Sequence, residues 1–293
     1  MRIWIRRGLL VLAALVVMAA AAFAAGLALA ERKVNRRIEI APYAIAIPSG
    51  DAAVLDRGRY LYASRGCADC HGAKGAGRTF VDSGGLVLAG PNITSGPGGV
   101  VGAYQPADWE RTIRHGVKPD GRPLRVMPSD DYNRLTDADL GAVVAYVKSL
   151  APARGGAAVV QLPAPVRVLY GFGAIPDPVE RIDHGKPPEQ AVAEGVTAEH
   201  GRYVAQMCNG CHGARLEGGR VPGGPPDWPP AARLRGGEGS VMPRYPTAES
   251  FLAMLKSGRR ADGSAIAAMP FEALRQLSDT DARALHLYLS QLR

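Results

Sequence analysis

Residues 67–71 read Cys-Ala-Asp-Cys-His, and residues 208–212 read Cys-Asn-Gly-Cys-His. Two thiols three residues apart, followed directly by an imidazole, are the attachment signature of a c-type haem. In that arrangement two thioether bonds hold the porphyrin, and the histidine is the proximal ligand of the iron. The two motifs use all four cysteines of the chain. We therefore predict two haem c groups, attached covalently at Cys67, Cys70, Cys208 and Cys211, with His71 and His212 as iron ligands.

Two other uses of four cysteines fit this pattern less well. Disulfide bonds would leave the two histidines that follow the second thiols without a role. A structural zinc site would require a closed set of four ligands, whereas the same short motif occurs here twice, far apart in the chain. The sequence thus favours haem over both alternatives.

The sequence around the two motifs is repeated. Gly58-Arg59-Tyr60 corresponds to Gly201-Arg202-Tyr203, and Met127-Pro128 corresponds to Met269-Pro270, at almost the same offset along the chain. Such a repeat indicates a duplicated structural unit. We predict one unit over residues 51–152 and a second over residues 195–293. In the first unit we expect helices at 51–65, at 106–115 and from Thr136 onwards, with a Gly-rich loop at 72–102.

A haem iron with histidine on one side commonly takes methionine on the other in electron-transfer centres. Met127 follows His71 at nearly the same separation as Met269 follows His212, and each methionine precedes a proline. Met242 also precedes a proline, and Met254 has helical spacing with a neighbouring phenylalanine, but only Met269 matches the first unit. We predict Met127 and Met269 as the second axial ligands.

The remaining histidines and the loop around Gly90-Pro91 give further expectations. We expect the other four histidines to be surface or packing residues; they are His115, His184, His200 and His286. A backbone carbonyl from Gly90-Pro91 is expected to bond the free ring nitrogen of His71, since metal-bound imidazoles usually have such a partner. The sequence shows no nucleophile–base pair, phosphate-binding glycine loop or carboxylate dyad, and we assign no catalytic residues.

The N-terminus resembles both a membrane anchor and a secretory signal. Residues 8–30 contain no charge over 23 positions, which suffices for one bilayer crossing. Ala28-Leu29-Ala30 resembles a signal cleavage site. We favour an uncleaved anchor over residues 1–37, with a soluble periplasmic protein after cleavage as the alternative. Because haem attachment to this motif requires export, we place the remaining chain on the periplasmic side of the inner membrane.

Charge and composition bound the other segments. The net charge is +8, but residues 1–50 hold seven Lys or Arg against two Asp or Glu. The excess of basic residues therefore lies mostly in the N-terminal segment and not on a folded domain, and we expect no nucleic-acid partner. Residues 38–50 are an apolar spacer. Residues 153–194 are a Pro-rich connector that is too apolar for a flexible linker, and we expect an extended strap on the two units without a fold of its own.

At these residues the chain resembles two class I c-type cytochrome domains in tandem. Three stretches are similar to the cytochrome c subunits of membrane-associated dehydrogenases: Gly90-Pro91-Asn92-Ile93-Thr94, the run from Asp108 to Gly116, and Pro119-Asp120-Gly121-Arg122. The resemblance implies an all-α fold in which the first and last helices of each domain cross and haem lies between them. The second unit departs from this pattern, because Asp227-Trp228-Pro229-Pro230 stands near the place of Pro-Asn-Ile-Thr.

The sequence therefore predicts an all-α chain of two tandem class I cytochrome c domains, preceded by one N-terminal transmembrane or signal helix. The expected function is a relay of electrons between a dehydrogenase or respiratory complex and an oxidase or small carrier, without conversion of a substrate. The alternative is a di-haem peroxidase, but that family has a second histidine soon after its first haem motif, and none lies between His71 and His115. A haem-based sensor would normally carry an output module, which we do not find.

Overall fold

The structure is a computed structural model that describes residues 2–49, 51–225 and 227–293. Its α-helices are α1 (Arg2–Asn35), α2 (Ala52–Ser64), α3 (Cys67–His71), α4 (Pro106–His115), α5 (Ser129–Tyr132), α6 (Asp137–Ser149), α7 (Ala164–Gly171), α8 (Ala198–Val204), α9 (Asn209–His212), α10 (Ala248–Ser257), α11 (Phe271–Leu274) and α12 (Asp279–Gln291). Its strands are β1 (Arg78–Ser83), β2 (Leu86–Gly90) and β3 (Val159–Gln161). Short 3₁₀ turns occupy Pro178–Arg181, Ala205–Cys208 and Met242–Arg244.

The three helices predicted in the first unit are present, and their ends have local causes. Asp51 caps α2 by accepting from the backbone N–H of Val54 at 2.8 Å. Thr136 caps α6 in the same way, through the backbone N–H of Asp139 at 3.1 Å. Gly116 ends α4 in the left-handed conformation, with φ of 65°.

The first and last helices pack against each other in each unit. Helix α2 packs on α6, and α8 packs on α12. A Cβ atom added at Gly58 would overlap the carbonyl oxygen of Ala142, and one added at Gly201 would overlap that of Ala284. The repeated Gly-Arg-Tyr stretch therefore marks a point where the two helix backbones approach closely.

Two hydrophobic cores form around these helix pairs. The first contains Leu61, Tyr62, Trp109, Leu140, Val143, Val144 and Val147, all of them buried. The second contains Val204, Phe251, Met254, Leu255, Leu285 and Leu289. Tyr203, from the second unit, is buried in the first core. The two units therefore share one continuous packed region at this tyrosine.

The prediction of an all-α fold is correct for the helices but omits a small antiparallel sheet. Strands β1 and β2 form a hairpin inside the loop predicted at 72–102, and β3 pairs with the other edge of β2, with Leu88 opposite Val160. The hairpin turn is Gly84-Gly85, with φ of 58° and 80°. Two consecutive glycines with positive φ match the twist of a two-residue hairpin.

The connector at 153–194 is not extended throughout, because it contains β3, α7 and a 3₁₀ turn. Helix α7 packs against α1. Farther along, Glu189 accepts from Arg134 at 2.9 Å and from Arg202 at 3.1 Å, and so contacts both units. The spacer at 38–50 also packs on the first unit, where Ile45 is buried in its core.

Candidate haem-binding sites

The first motif forms helix α3, directly after α2. Cys67 is partly buried and packs against the first core. The Nδ1 of His71 lies 3.0 Å from the carbonyl oxygen of Pro91, which is the hydrogen bond expected from the sequence. Because a carbonyl can only accept, Nδ1 carries the proton, and Nε2 keeps the lone pair that an iron ligand needs.

The second motif forms α9 and repeats this geometry. The Nδ1 of His212 lies 2.7 Å from the carbonyl oxygen of Ala232. Both acceptor carbonyls lie 20 residues after their histidine. Sequence reasoning missed Ala232 because the Pro-Asn-Ile-Thr stretch is absent there; the equal spacing of 20 residues was the signal that could have found it.

Burial shifts the pKa values of the histidines and cysteines at both motifs. Desolvation lowers the pKa of His71 and of His212, partly opposed by the carbonyl hydrogen bonds, and favours the neutral imidazole that binds metals. Burial raises the pKa of Cys67 to about 12, that of Cys70 to about 11 and that of Cys208 to about 12. All four cysteines, each within the described residues, are unpaired. Among the described residues, no three His, Cys, Asp or Glu side chains are placed to hold a metal ion together, which disfavours a zinc site.

An apolar cleft in the second unit brings three of the predicted residues together. Cys208, His212 and Met269 all line it, together with buried side chains such as Phe251 and Leu285. Met242 lines the same cleft and is itself buried. Apolar walls around a single available imidazole nitrogen fit a haem group. In the first unit, Met127 packs against the same core as Cys67.

The four remaining histidines have partners other than the two motifs, as expected for packing residues. His286 bonds the carbonyl oxygen of Tyr245 at 2.8 Å, and His200 bonds Asp281 at 2.7 Å. His115 lies 3.0 Å from Glu110 and 2.8 Å from His184. Only His184 retains appreciable exposure; the other three are buried.

The two motifs lie at the interface between the units. Helix α3 packs on α11, and α9 packs on α5. The backbone N–H of Gly210, inside the second motif, donates to Asp131 of the first unit at 2.6 Å. Helices α5 and α11 begin directly after Met127-Pro128 and Met269-Pro270. Each motif therefore contacts the segment that follows the other unit's methionine.

A pair of crossed hydrogen bonds holds this interface together. Tyr60 donates to Asp281 at 2.7 Å, and Tyr203 donates to Asp139 at 2.7 Å. Each tyrosine thus reaches the first turn of the last helix of the other unit. We refer to Tyr60, Asp281, Tyr203 and Asp139 as the carboxylate latch. Asp281 additionally accepts from Arg65 at 3.0 Å.

The latch carboxylate of Asp281 is ionised despite its burial. Desolvation opposes its charge, but Arg65 together with the hydrogen bonds from Tyr60 and His200 lowers its pKa below the usual range. The side chains of Asp281 and Arg65 are 0% and 5% exposed. The interface therefore encloses an ion pair that is screened little by water.

Comparison with known proteins places this geometry in context. Residues 53–147 match the family model described as cytochrome c oxidase, cbb3-type, subunit III. Over 93% of its length the chain is 29% identical to a nicotinate dehydrogenase component of Pseudomonas putida. Over 85% it is 28% identical to the gluconate 2-dehydrogenase cytochrome c subunit of Pantoea cypripedii, and over 88% it is 26% identical to a diheme cytochrome c-type protein of Cereibacter sphaeroides.

These relatives differ in how much of their length the chain covers. It spans 24% of the nicotinate dehydrogenase component and 62% of the gluconate dehydrogenase subunit, but 91% of the diheme cytochrome. The residues matched by the family model include the first Cys-x-x-Cys-His motif and α3 and α4 in full. The family match, the first Cys-x-x-Cys-His motif and these helices therefore indicate the same kind of domain over residues 53–147.

Proposed function

We propose that this chain, which carries a cytochrome c domain and is similar to the cytochrome c subunits of dehydrogenases, is a membrane-tethered, periplasmic di-haem electron carrier. The second unit would be a second cytochrome c domain. The support is the repeated pair of helices that meet at Gly58 and Gly201, the second Cys-x-x-Cys-His motif, and the cleft beside it.

The observation that carries the proposal is the matched pair of histidine hydrogen bonds. His71 and His212 each donate from Nδ1 to a carbonyl 20 residues farther on, which orients Nε2 for a metal. Cys67, Cys70, Cys208 and Cys211 would hold two haem c groups covalently. When bound, haem c supplies a one-electron change between Fe(III) and Fe(II).

Methionine would complete each set of ligands. Met127 and Met269 are the proposed axial partners of His71 and His212, and a thioether ligand raises the reduction potential and closes the site to small molecules. The cleft supports a methionine ligand in the second unit without separating Met269 from Met242, because both line it. Closed sites suit a carrier, and the names of the three relatives above lend the peroxidase alternative no support.

An uncleaved anchor is supported by the length and packing of α1. Its charge-free run of 23 residues is about 34 Å long at 1.5 Å per residue, close to the thickness of the hydrocarbon core. Gly26 lies against Val168 and Phe172 of the strap, and Gly171 lies against Gly26 in turn. Cleavage after Ala30 would remove Gly26 and uncover these apolar contacts.

The electron donor and acceptor are proposed by similarity. The named relatives include components of nicotinate and gluconate dehydrogenases, and we propose that this chain likewise accepts electrons from a dehydrogenase or respiratory complex at the membrane. It would pass them to an oxidase or a small carrier. The contacts of α3 with α11 and of α9 with α5 support transfer between the two sites.

Haem stoichiometry and ligation test the proposal directly. The purified chain is expected to contain two covalent haems by the pyridine haemochrome assay, and one after Cys208→Ser with Cys211→Ser. The near-infrared band of methionine bound to Fe(III), measured against haem content, is expected to report two such bonds per chain. A single haem in the unmodified chain, or peroxide turnover at a site without methionine, would contradict the proposed carrier.

A further inference from the structure

The strap helix α7 and its C-cap residue Phe172 present an apolar face that the described residues leave about half exposed. Pro165, Leu169 and Phe172 lie at helical spacings of four and three residues, and all three are exposed. The exposed fractions of Leu169 and Phe172 are 51% and 55%. A row of apolar residues at this spacing forms one side of an amphipathic helix. Exposing such a face to water is unfavourable, which indicates that another surface covers it.

The position of α7 along α1 indicates that this covering surface is the membrane. A Cβ atom added at Gly26 would approach Val168 at 2.7 Å and Phe172 at 2.9 Å. Gly26 lies four residues inside the end of the charge-free run at Ala30, which corresponds to about 6 Å along the helix axis. Helices that lie in the membrane interface bury their apolar face by about 5–10 Å. The side chains of α7 that touch Gly26 therefore lie at the depth of an interfacial helix.

Polar contacts hold α7 in this position. Lys33 of α1 donates to the carbonyl oxygen of Ile175 at 3.1 Å, and its ammonium lies 4.5 Å from the ring centroid of Tyr170. Arg36 forms an ion pair of 2.7 Å with the buried carboxylate of Asp177. These contacts lie just beyond the apolar run, where a bilayer gives way to water. They fix the strap from the aqueous side while α7 extends back along α1.

Two arginines stand where lipid headgroups would lie. Arg125 and Arg167 line a cleft between α1, β3 and α7, together with Ala30 and Glu31 at the end of the apolar run. Arg167 lies 4.0 Å from Glu31 and is about half exposed. Guanidinium groups bind phosphate oxygens well, and anionic headgroups attract basic residues close to the surface. The charge beside the apolar face is thus complementary to a phospholipid surface.

We propose that α7 is a second membrane contact. It would be an interfacial helix that inserts Leu169 and Phe172 into the periplasmic leaflet of the bilayer that α1 spans. The inference rests on the proposed anchor, because α1 sets the depth of α7. Two contacts instead of one would restrict rotation of the periplasmic part about α1. Because β3 joins the strap to the first unit, these contacts would keep the same face of that unit turned towards the membrane.

Spin labels on added cysteines test this placement in the full-length haem-loaded chain. The parent chain, with its four cysteines in the proposed thioether bonds, is the label-free control. A nitroxide is attached to Leu169→Cys, Phe172→Cys, Leu15→Cys within α1, or Val196→Cys, an equally exposed apolar residue of the second unit. Each protein is reconstituted into vesicles of phosphatidylglycerol and phosphatidylcholine. Power saturation then compares collisions with oxygen, which enters lipid, and with a water-soluble nickel chelate.

The labels at 169, 172 and 15 are expected to collide more with oxygen than with nickel, and the label at 196 is expected to do the reverse. If the label at 15 reports lipid while those at 169 and 172 report water, the anchor stands and the interfacial helix is refuted; the face would then belong to a protein partner. If the label at 15 also reports water, the anchor itself is refuted and the inference falls with it.

Discussion

Asp281→Asn removes the charge on which the carboxylate latch depends. Asp281 accepts hydrogen bonds from Tyr60 and His200 at 2.7 Å and from Arg65 at 3.0 Å, with its side chain 0% exposed. The variant has nearly the same shape, so the core around it is not disturbed. It leaves the guanidinium of Arg65 buried without a counter-charge, which is the main cost of the substitution.

The size of the loss follows from that burial. Removing one partner of a buried ion pair costs about 3–5 kcal/mol, because the remaining charge stays desolvated. The asparagine oxygen can still accept from Tyr60, so we expect a loss near the lower end, about 3 kcal/mol. Asp139→Asn is the matched control in the other half of the latch. Its partner Arg57 is 27% exposed, and water limits the loss there to about 1–2 kcal/mol.

Urea unfolding of the detergent-solubilised, haem-loaded chain, followed by far-ultraviolet circular dichroism, measures both losses. Arg65→Met in the Asp281→Asn background is expected to cost less than Arg65→Met alone, because the stranded charge is removed. A loss below about 1 kcal/mol for Asp281→Asn, or one no larger than that of Asp139→Asn, would refute the reasoning that a buried ion pair joins the two units.

Acid sensitivity of the same variants and two further substitutions extend the test. The pKa of Asp281 is lowered in the folded chain, so its contribution is complete above the unfolded value of about 3.9 and is lost as the pH falls through the lower folded value. Stability measured from pH 6 downwards should therefore decline more steeply in the parent than in Asp281→Asn; parallel curves would contradict this. Met269→His is expected to lower one haem potential by on the order of 0.1–0.3 V, within the roughly 0.8 V that axial ligands span, whereas Met242→Leu leaves both unchanged. Redox titration checks this, and the opposite pattern would make Met242 the ligand. Gly58→Ala should destabilise by about 1–3 kcal/mol, because its methyl group would overlap Ala142, while Gly102→Ala, with open space around it, should be neutral in urea unfolding; equal effects would show that the helix crossing is not tight.

The chemistry of the candidate sites is written locally in the sequence. Attachment of haem needs two thiols and an imidazole within one short stretch, and that requirement leaves a pattern that does not depend on the fold. The capped ends of α2, α4 and α6 are also local, since Asp51, Thr136 and Gly116 act on backbone groups within about one turn. The repeat then extended the predictions of haem attachment and of a methionine ligand from the first unit to the second.

Other features depend on contacts between distant parts of the chain. The carbonyl of Ala232 that orients His212 is a backbone group, and any residue type could supply it. Tyr60 and Asp281 are 221 positions apart, and β3 pairs with a hairpin that its own three residues do not specify. In the sequence, α7 is only part of a Pro-rich connector, and its packing against α1 is visible only in the structure. The sequence by itself identified the candidate groups for attaching haem, because that chemistry requires neighbouring residues. Only the tertiary structure decided which surfaces meet, because packing joins residues that share no local pattern.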